Sequence, residues 1–399
     1  MAPLLKGTSV IPFKMLPWEY GIRNLFRRPL RSSLTLAGLT TVIVLVLVVV
    51  GFIRGLERLL TTAGDPNVAI VFAMGMGENL EYSSIDARTA ELLAASIGGI
   101  QQRYGKKYVS PELYLGTQIG VENAAAPAMG LVRGVTPGAL LVRRQVEILR
   151  GDWPQPGEIL VGRTAATKLG AVTADLAIGK TLTMEDRTWR ISGVFAACGS
   201  VLESEAWCRL DELQQAMKRQ DLSLVAIALA PGGDFADVDL FCKERSTDLK
   251  LRAVREVDYY QALQRDYASV KKLAWLVVLM VSAAGVFAGL NTMYAAVLGR
   301  VRELATLQTI GFLRRAIVVS LVQEGVILAA AASLLACLVA FALVNGAAVR
   351  FTSSAIVLRV DNLAVLVGCT TGLLLGLIGS IPPAVRALRM PVVEGLKSI

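Results

Sequence analysis

"NTMYAAVLGRVRELATLQTIGFLRRAIVVSLVQEGVIL", residues 291–328, is apolar at both ends and basic in the middle. An apolar run ending at Leu298 and a second one starting at Ala316 read as two membrane spans with a short link between them. In the link, Arg302, Glu303 and Gln308 take polar positions of a helix, Leu304, Leu307 and Ile310 take an apolar face, and Gly311 ends it. Such an element can dock in a groove on a cytosolic partner; equally, it can simply turn the chain around, its arginines placed by topology alone. Glu324 lies about eight residues into the second run, where an ionised carboxylate needs a partner. It is read either as a polar lock to a neighbouring span or a site that changes partner during a cycle, or as a carboxylate that reaches Arg314, Arg315 or the arginines before the first span. Asn291 more simply glues helices together.

Working outward, the chain of 399 residues is 54% hydrophobic with mean hydropathy +0.54, which places it in the membrane class. Four stretches are long enough to cross a bilayer: 34–53, 273–298, 316–348 and 363–385. None contains Asp, Lys or Arg. The first begins too far into the chain, and lacks the small-residue cleavage site, for a signal peptide.

The net charge of +9 suggests nucleic acid until it is divided. Residues 54–270 hold 24 Lys+Arg against 27 Asp+Glu, and the remainder 17 against 5. The basic residues flank the spans: Arg23, Arg27, Arg28 and Arg31 before the first, Arg300, Arg302, Arg314 and Arg315 between the second and third, Arg386, Arg389 and Lys397 after the fourth. By the positive-inside rule these segments and both termini are cytoplasmic, and 54–272 lies outside. No electrostatic case for nucleic acid survives this division.

The expected fold class is therefore a membrane α-helical protein with four transmembrane helices and a large α+β extracytoplasmic domain inserted between the first two. The boundaries are 1–33 (cytoplasmic amphipathic helix), 34–53, 54–272 (outer domain), 273–298, 299–315 (link), 316–348, 349–362 (outer loop), 363–385 and 386–399 (cytoplasmic tail). Within the outer domain, strands are expected at 68–74, 114–121 and 129–135, and helices at 84–97, with Ser84 as N-cap, and 163–169. A hairpin of 180–184 and 189–196 turns at "EDR", and 222–230, 234–245 and 249–254 read as β-α-β. A closing helix with Tyr260, Leu263, Tyr267, Val270 and Ala274 on one stripe continues into the second span.

"ADLAIGKTLTM", 174–184, ends like a phosphate-binding loop, but Ala174 stands where that loop needs glycine and Thr181–Met184 reads as strand where it needs a helix. Lys180 is expected to enter the hairpin instead. The chain has no histidine and no metal-ligand spacing, so neither a catalytic constellation nor a metal site is expected. Of the five cysteines, Cys198 and Cys208 are close enough to bridge a hairpin, whereas free thiols are the plainer reading. Gly285, Ala288, Gly289 and Thr292 let the second span approach another helix closely, including its own copy in a dimer.

The stretch 291–328 resembles the signature of the FtsX-like permeases of the MacB superfamily of ABC transporters: an Asn, an R-x-R-E-[IL] turn, a Leu-x-x-Ile/Leu-Gly run, a basic pair and a Glu. "SIPPAVRALRMPVVEGLK" (380–397) resembles the same family's tail, with Pro391 and Glu394 at its matching positions. "RNLFRRPLRSSLTLAG" (23–38), "RGVTPGALLVRRQVEILRGDWPQPGEILVGRTAATKLG" (133–170) and "IGKTLTMEDRTWRISGVF" (178–195) are similar to its first span and periplasmic core domain. The resemblance implies a stand-alone permease subunit, not itself an enzyme, in the bacterial inner membrane, similar in layout to lipoprotein-releasing permeases. Arg302, Glu303, Leu307, Gln308, Ile310 and Gly311 would then form a coupling helix received by a cytosolic ATPase. Two ATPase copies, which bind the ATP and Mg, and a second permease copy or homologue are implied, with a periplasmic membrane-fusion protein or lipoprotein chaperone as further partners; this chain carries no cofactor. The function implied is export or extraction of a lipoprotein, lipid, peptide or drug-like amphiphile. The alternative is an FtsX-like mechanotransmitting scaffold that regulates an extracellular enzyme.

Overall fold

The computed structural model describes residues 23, 25–27, 29–77, 79–122, 124, 126–245, 247–350 and 355–389. The amphipathic segment expected before the first span lies mainly outside these residues, as do Pro391 and Glu394. The chain divides into two units: an α+β unit, Phe52–Lys271 with Gly346–Leu358, and a helical unit formed by the described parts of Met1–Gly51, Lys272–Asn345 and Arg359–Ile399.

The α+β unit is organised by one long strand. Its first strands are β1 Val68–Ala73, the small hairpin β2 Gln102–Arg103 and β3 Lys106–Lys107, β4 Val109–Val121, β5 Ala128–Val135, β6 Glu147–Gly151 and β7 Glu158–Gly162. β8 Thr181–Met184, β9 Arg187–Ala196, β10 Glu205–Arg209, β11 Leu224–Ala228 and β12 Leu251–Arg255 follow. The beginning of β4 pairs with β11, which pairs with β1, which pairs with β12, all antiparallel. Ala69 and Val71 of β1 face a core with Leu93, Val238 and Phe241 from helices Thr89–Ser96 and Phe235–Glu244, and with Ile97 just after the first of them. Val68, Ile70 and Phe72 face the opposite way, onto Tyr108, Tyr259 and Tyr260. Because both faces are covered, β1 reads as an unbroken apolar run rather than an alternation.

The rest of β4 belongs to a barrel. It pairs with β5, β5 with β10, β10 with β7, β7 with β9, β9 with β8, and β8 again with β4. Six strands thus close on themselves around Leu113, Ile119, Val132, Ile159, Leu182, Trp189 and Ile191. The pairing of β7 with β9 shifts register between Ile159 and Leu160, opposite Ile191 and Gly193. An extra residue inverts the facing of the strand beyond it, so Val194 rather than Phe195 packs on the barrel core. Phe195 joins a second cluster, with its ring centroid 4.8 Å from that of Trp207.

Several local expectations change. Helix 84–97 starts later, at Thr89, and Ser84 does not cap it; the Asp86 carboxylate accepts the Arg88 N–H at 2.8 Å just ahead of the helix. The hairpin of β8 and β9 turns on two residues, Glu185 and Asp186, both at positive φ, 51° and 56°; this is the conformation a two-residue hairpin turn requires. Lys180 lies at the entry to β8, and the Gly179 N–H donates to the Ile191 carbonyl, so these backbone groups are spent on the sheet. In the β-α-β segment, β1 lies between β11 and β12. Cys198 is exposed and Cys208 buried, both as free thiols; the bridge weighed above is not formed. The outer loop contributes a hairpin to this unit, β13 Ala348–Arg350 with β14 Ala355–Val357, and the Ala355 N–H donates to Ser204 Oγ at 3.0 Å.

The helical unit contains α1 Pro29–Thr61, whose later turns belong to the α+β unit, α2 Ala268–Leu298, α3 Val301–Thr309, α4 Arg314–Val339 and α5 Asn362–Arg389. Four helices are long and apolar enough to cross a membrane: α1, α2, α4 with its continuation to Val344, and α5. The tightest seam joins α4 to α5. Small residues four apart on α4, Gly325, Ala329, Ser333 and Cys337, meet Cys369, Gly372, Gly376 and Ser380 on α5. A Cβ on Gly372 would fall 2.1 Å from Ser333 Oγ, and one on Gly376 2.5 Å from the Ala329 Cβ. With no hydrophobic drive between helices in lipid, such close approach is what holds two spans together.

Candidate functional site

The charged link and the two spans it joins form one cluster. Arg300 is the residue before α3, and its carbonyl accepts the N–H of Leu304, the first full turn of that helix. Its side chain reaches α4: Nη1 lies 2.9 Å from Glu324 Oε2 and Nη2 3.1 Å from Oε1. Both side chains are buried, at 6% and 7% exposure, so this is a bidentate ion pair sheltered from water. One residue therefore caps α3 with its backbone and holds α4 with its side chain.

Glu324 is thus a polar lock, but its partner is not among those expected from sequence. Arg314 stands at the first position of α4, ten residues before Glu324. At a rise of about 1.5 Å per residue that separation is roughly 15 Å, longer than an arginine side chain. The informative signal was the need for a cation at matching depth on another segment. Arg300, counted only toward topology, supplies it. A cleft beside the pair is lined by Arg31, Thr35, Thr292, Ser380 and the pair itself. Arg31 Nη2 donates to the Thr292 carbonyl at 3.0 Å, tying α1 to α2.

α3 is amphipathic, yet much of its apolar face is already used. Leu304 is buried with Val297, Ile317, Leu321 and Ala384, and Leu307 packs partly on the same cluster. Ile310 is left 61% exposed beside exposed Arg302, Glu303 and Gly311, with Gln308 half-buried. Gly311, at φ 100°, closes the helix, and the Phe312 N–H returns to the Leu307 carbonyl. The three-residue apolar face expected from sequence thus divides into internal packing at Leu304 and Leu307 and an outward residue, Ile310.

Asn291 lies on the exposed side of α2 with Phe287, Ala288 and Leu298, and among the described residues no hydrogen bond joins it to another helix. Gly285 is buried, its Cα facing Val42 of α1 and Leu375 of α5, so part of the small-residue pattern serves packing within the chain. Among the described residues no group of three or more Cys, Asp or Glu is placed to hold a metal.

A family model described as the MacB-like periplasmic core domain matches residues 32–239, and one described as the FtsX-like permease C-terminal matches 275–392. The crystal structure of the periplasmic region of MacB from Actinobacillus actinomycetemcomitans is similar at 12% identity and a TM-score of 0.39, covering 53% of this chain and 98% of that one. The extracellular domain of the ABC-type transporter YknZ from Gram-positive bacteria is similar at 15% identity and a TM-score of 0.36, covering 47% of this chain and 100% of that one. No curated protein matches.

Proposed function

Because this chain belongs to the family of FtsX-like permeases with a MacB-like periplasmic core domain, we propose that it is the membrane subunit through which a separate cytosolic ATPase drives conformational change in an outer domain. The observation that carries the proposal is the Arg300–Glu324 pair, which fastens the start of α3 to α4. α4 is in turn packed closely on α5 at Gly325, Ala329 and Ser333. A push on α3 would therefore move α3, α4 and α5 together rather than bend a loop. This chain performs no catalysis in the proposed cycle; ATP and Mg are bound by two ATPase copies.

Ile310 is the anchor we assign to the ATPase, flanked by Arg302 and Glu303, because docked amphipathic helices depend on a few buried apolar residues. Leu307 contributes to internal packing as well, so replacing it would confound binding with folding. Ile310→Asp is the cleaner test. It should reduce the ATPase recovered with the detergent-solubilised chain by more than about tenfold, while Arg302→Ala should weaken recovery modestly and in a salt-dependent way. Wild-type recovery with Ile310→Asp would remove the coupling role from α3.

A second permease, either a copy or a homologue, is supported by Asn291, since an amide on the outer side of a span is costly unless another helix meets it. The proposed setting is the bacterial inner membrane with four spans, the α+β domain inserted after the first, and both termini cytoplasmic. In a Cys198→Ser background, an impermeant maleimide added from outside should label a cysteine at Asp186 but not one at Arg302. The reverse pattern would overturn the topology. We favour export or extraction of an amphiphile over a purely signalling scaffold because the outer unit is large, Phe52–Lys271.

A further inference from the structure

The α+β unit contains a cavity of about 190 Å³ that the coupling reading does not use. It is bounded by the barrel on one side and by the helix Glu256–Asp266 with Tyr267 on the other. Four tyrosines line it: Tyr114, Tyr259, Tyr260 and Tyr267. Tyr259 and Tyr260 meet edge to face, 5.1 Å between centroids. The Arg133 guanidinium already lies 4.3 Å from the Tyr114 ring centroid, so this wall accommodates a cation against an aromatic face.

Charge decides what the cavity can take. Arg133 faces it, but its charge is already matched by two carboxylates: Nε and Nη2 bond Glu205 at 2.7 and 2.6 Å, and Nη1 bonds Glu112 at 2.6 Å. Arg143 is likewise spent on Glu112 and Glu256. The buried cluster thus holds three carboxylates against two guanidiniums. Glu81 adds a fourth carboxylate on the cavity wall, half-buried, and among the described residues it makes no hydrogen bond or ion pair. Burial pushes the Glu81 carboxyl above its ordinary range, Lys168 draws it back, and Glu205 adds to the rise. Lys168 acts on Glu81 through space, without an ion pair between the two, and the cavity walls beside this carboxyl are aromatic.

We propose that this cavity binds an organic ammonium ion, its charge against Glu81 and its alkyl groups against the rings of Tyr259, Tyr260 and Tyr267. The volume is about six times that of one water in the liquid, enough for a trimethylammonium group with a short tail. The site stands on the geometry of the α+β unit and does not depend on the ATPase-coupling reading. Its ligand can be a free ammonium compound or the headgroup of a lipid, which share this chemistry.

The test is calorimetric titration of the full chain in nanodiscs of phosphatidylglycerol with choline and with 3,3-dimethylbutanol, its uncharged isostere. Choline should bind saturably, and at least about tenfold more tightly than the isostere, because both the carboxylate and the ring faces act on the charge. Glu81→Gln and Tyr267→Leu should each weaken choline about tenfold, with the thermal transition of the Glu81→Gln chain unchanged, since Glu81 is outside the buried ion pairs. Adding phosphatidylcholine to the nanodiscs should weaken choline by competition if a lipid headgroup is the occupant, and leave it unchanged if the ligand is free. Equal affinity for the isostere, undiminished binding by Glu81→Gln, or no saturable choline binding at millimolar concentration would each overturn the assignment.

Discussion

Arg300→Ala should destabilise the helical unit by about 3–5 kcal/mol, the cost of stranding one partner of a buried ion pair. Glu324 lies buried on α4 and both its oxygens are bonded by the one guanidinium. Removal of Arg300 leaves that carboxylate without its cation, whereas removal of both charges does not. The double variant Arg300→Met, Glu324→Met should therefore recover most of the stability, since an apolar replacement of a buried pair is often neutral. If the pair also transmits force, the double variant should fold and bind ATPase yet lose the coupling of ATP hydrolysis to the outer domain. Unfolding in detergent, compared with coupled ATPase activity, separates the two effects. A neutral Arg300→Ala would mean that the pair is not closed in the protein.

Arg133→Met should cost the α+β unit a similar amount, about 3–5 kcal/mol at neutral pH. Arg133 joins β4, β5 and β10 through Glu112 and Glu205, and its loss leaves two carboxylates under-compensated in a dry interior. The pH dependence has a definite sign. Burial alone would raise the Glu112 carboxyl, but the guanidiniums of Arg143 and Arg133 overcome it and hold the group below its ordinary value. A carboxyl depressed in the folded state contributes stability above the unfolded value, about 4.3, and that contribution is lost as pH falls through the lower folded value. In Arg133→Met the Glu112 carboxyl loses one of the two cations that hold it down and can protonate instead, so the gap between variant and wild type should narrow below about pH 4. Urea melts at pH 7 and pH 4 provide the comparison; a gap that widened in acid would contradict this assignment of charges.

These same residues explain what was and was not legible in the sequence. The four long apolar helices were readable because apolar runs of that length, with Glu324 as their one acidic residue, have few alternatives, and the β8–β9 hairpin because a polar turn separates two β-rich runs. β4 was read from Tyr114, whereas it begins at Val109. Pro111 and Glu112 look like strand breakers, and Glu112 is tolerated at full burial only because Arg133 and Arg143, far away in sequence, bond it. β10, "EAWCR", was missed for the same reason: Glu205 reads as a loop residue until Arg133 is beside it. Barrel closure depends on non-local pairing, which no local period encodes. In the helical unit, residue type predicted that Glu324 needed a partner, while the identity of that partner depended on how the link folds back. The seam of α4 and α5 was present as four-residue spacing of small side chains, hidden among many other alanines and glycines.

In the proposed cycle, ATP hydrolysis in a separate subunit changes the conformation of the α+β domain through α3. This coupling is tested most directly by spin labels on a cysteine at Asp186, in a Cys198→Ser chain assembled with its ATPase in nanodiscs. Electron–electron dipolar spectroscopy then reads the distance between the two permease subunits, the second labelled at the matching position where it is a homologue, with and without vanadate-trapped nucleotide. The account predicts a dipolar signal in both states and a shifted distance distribution in the trapped one, with the shift abolished by the Arg300→Met, Glu324→Met pair. Identical distributions with and without trapped nucleotide, or no dipolar signal from the assembled complex, would contradict it.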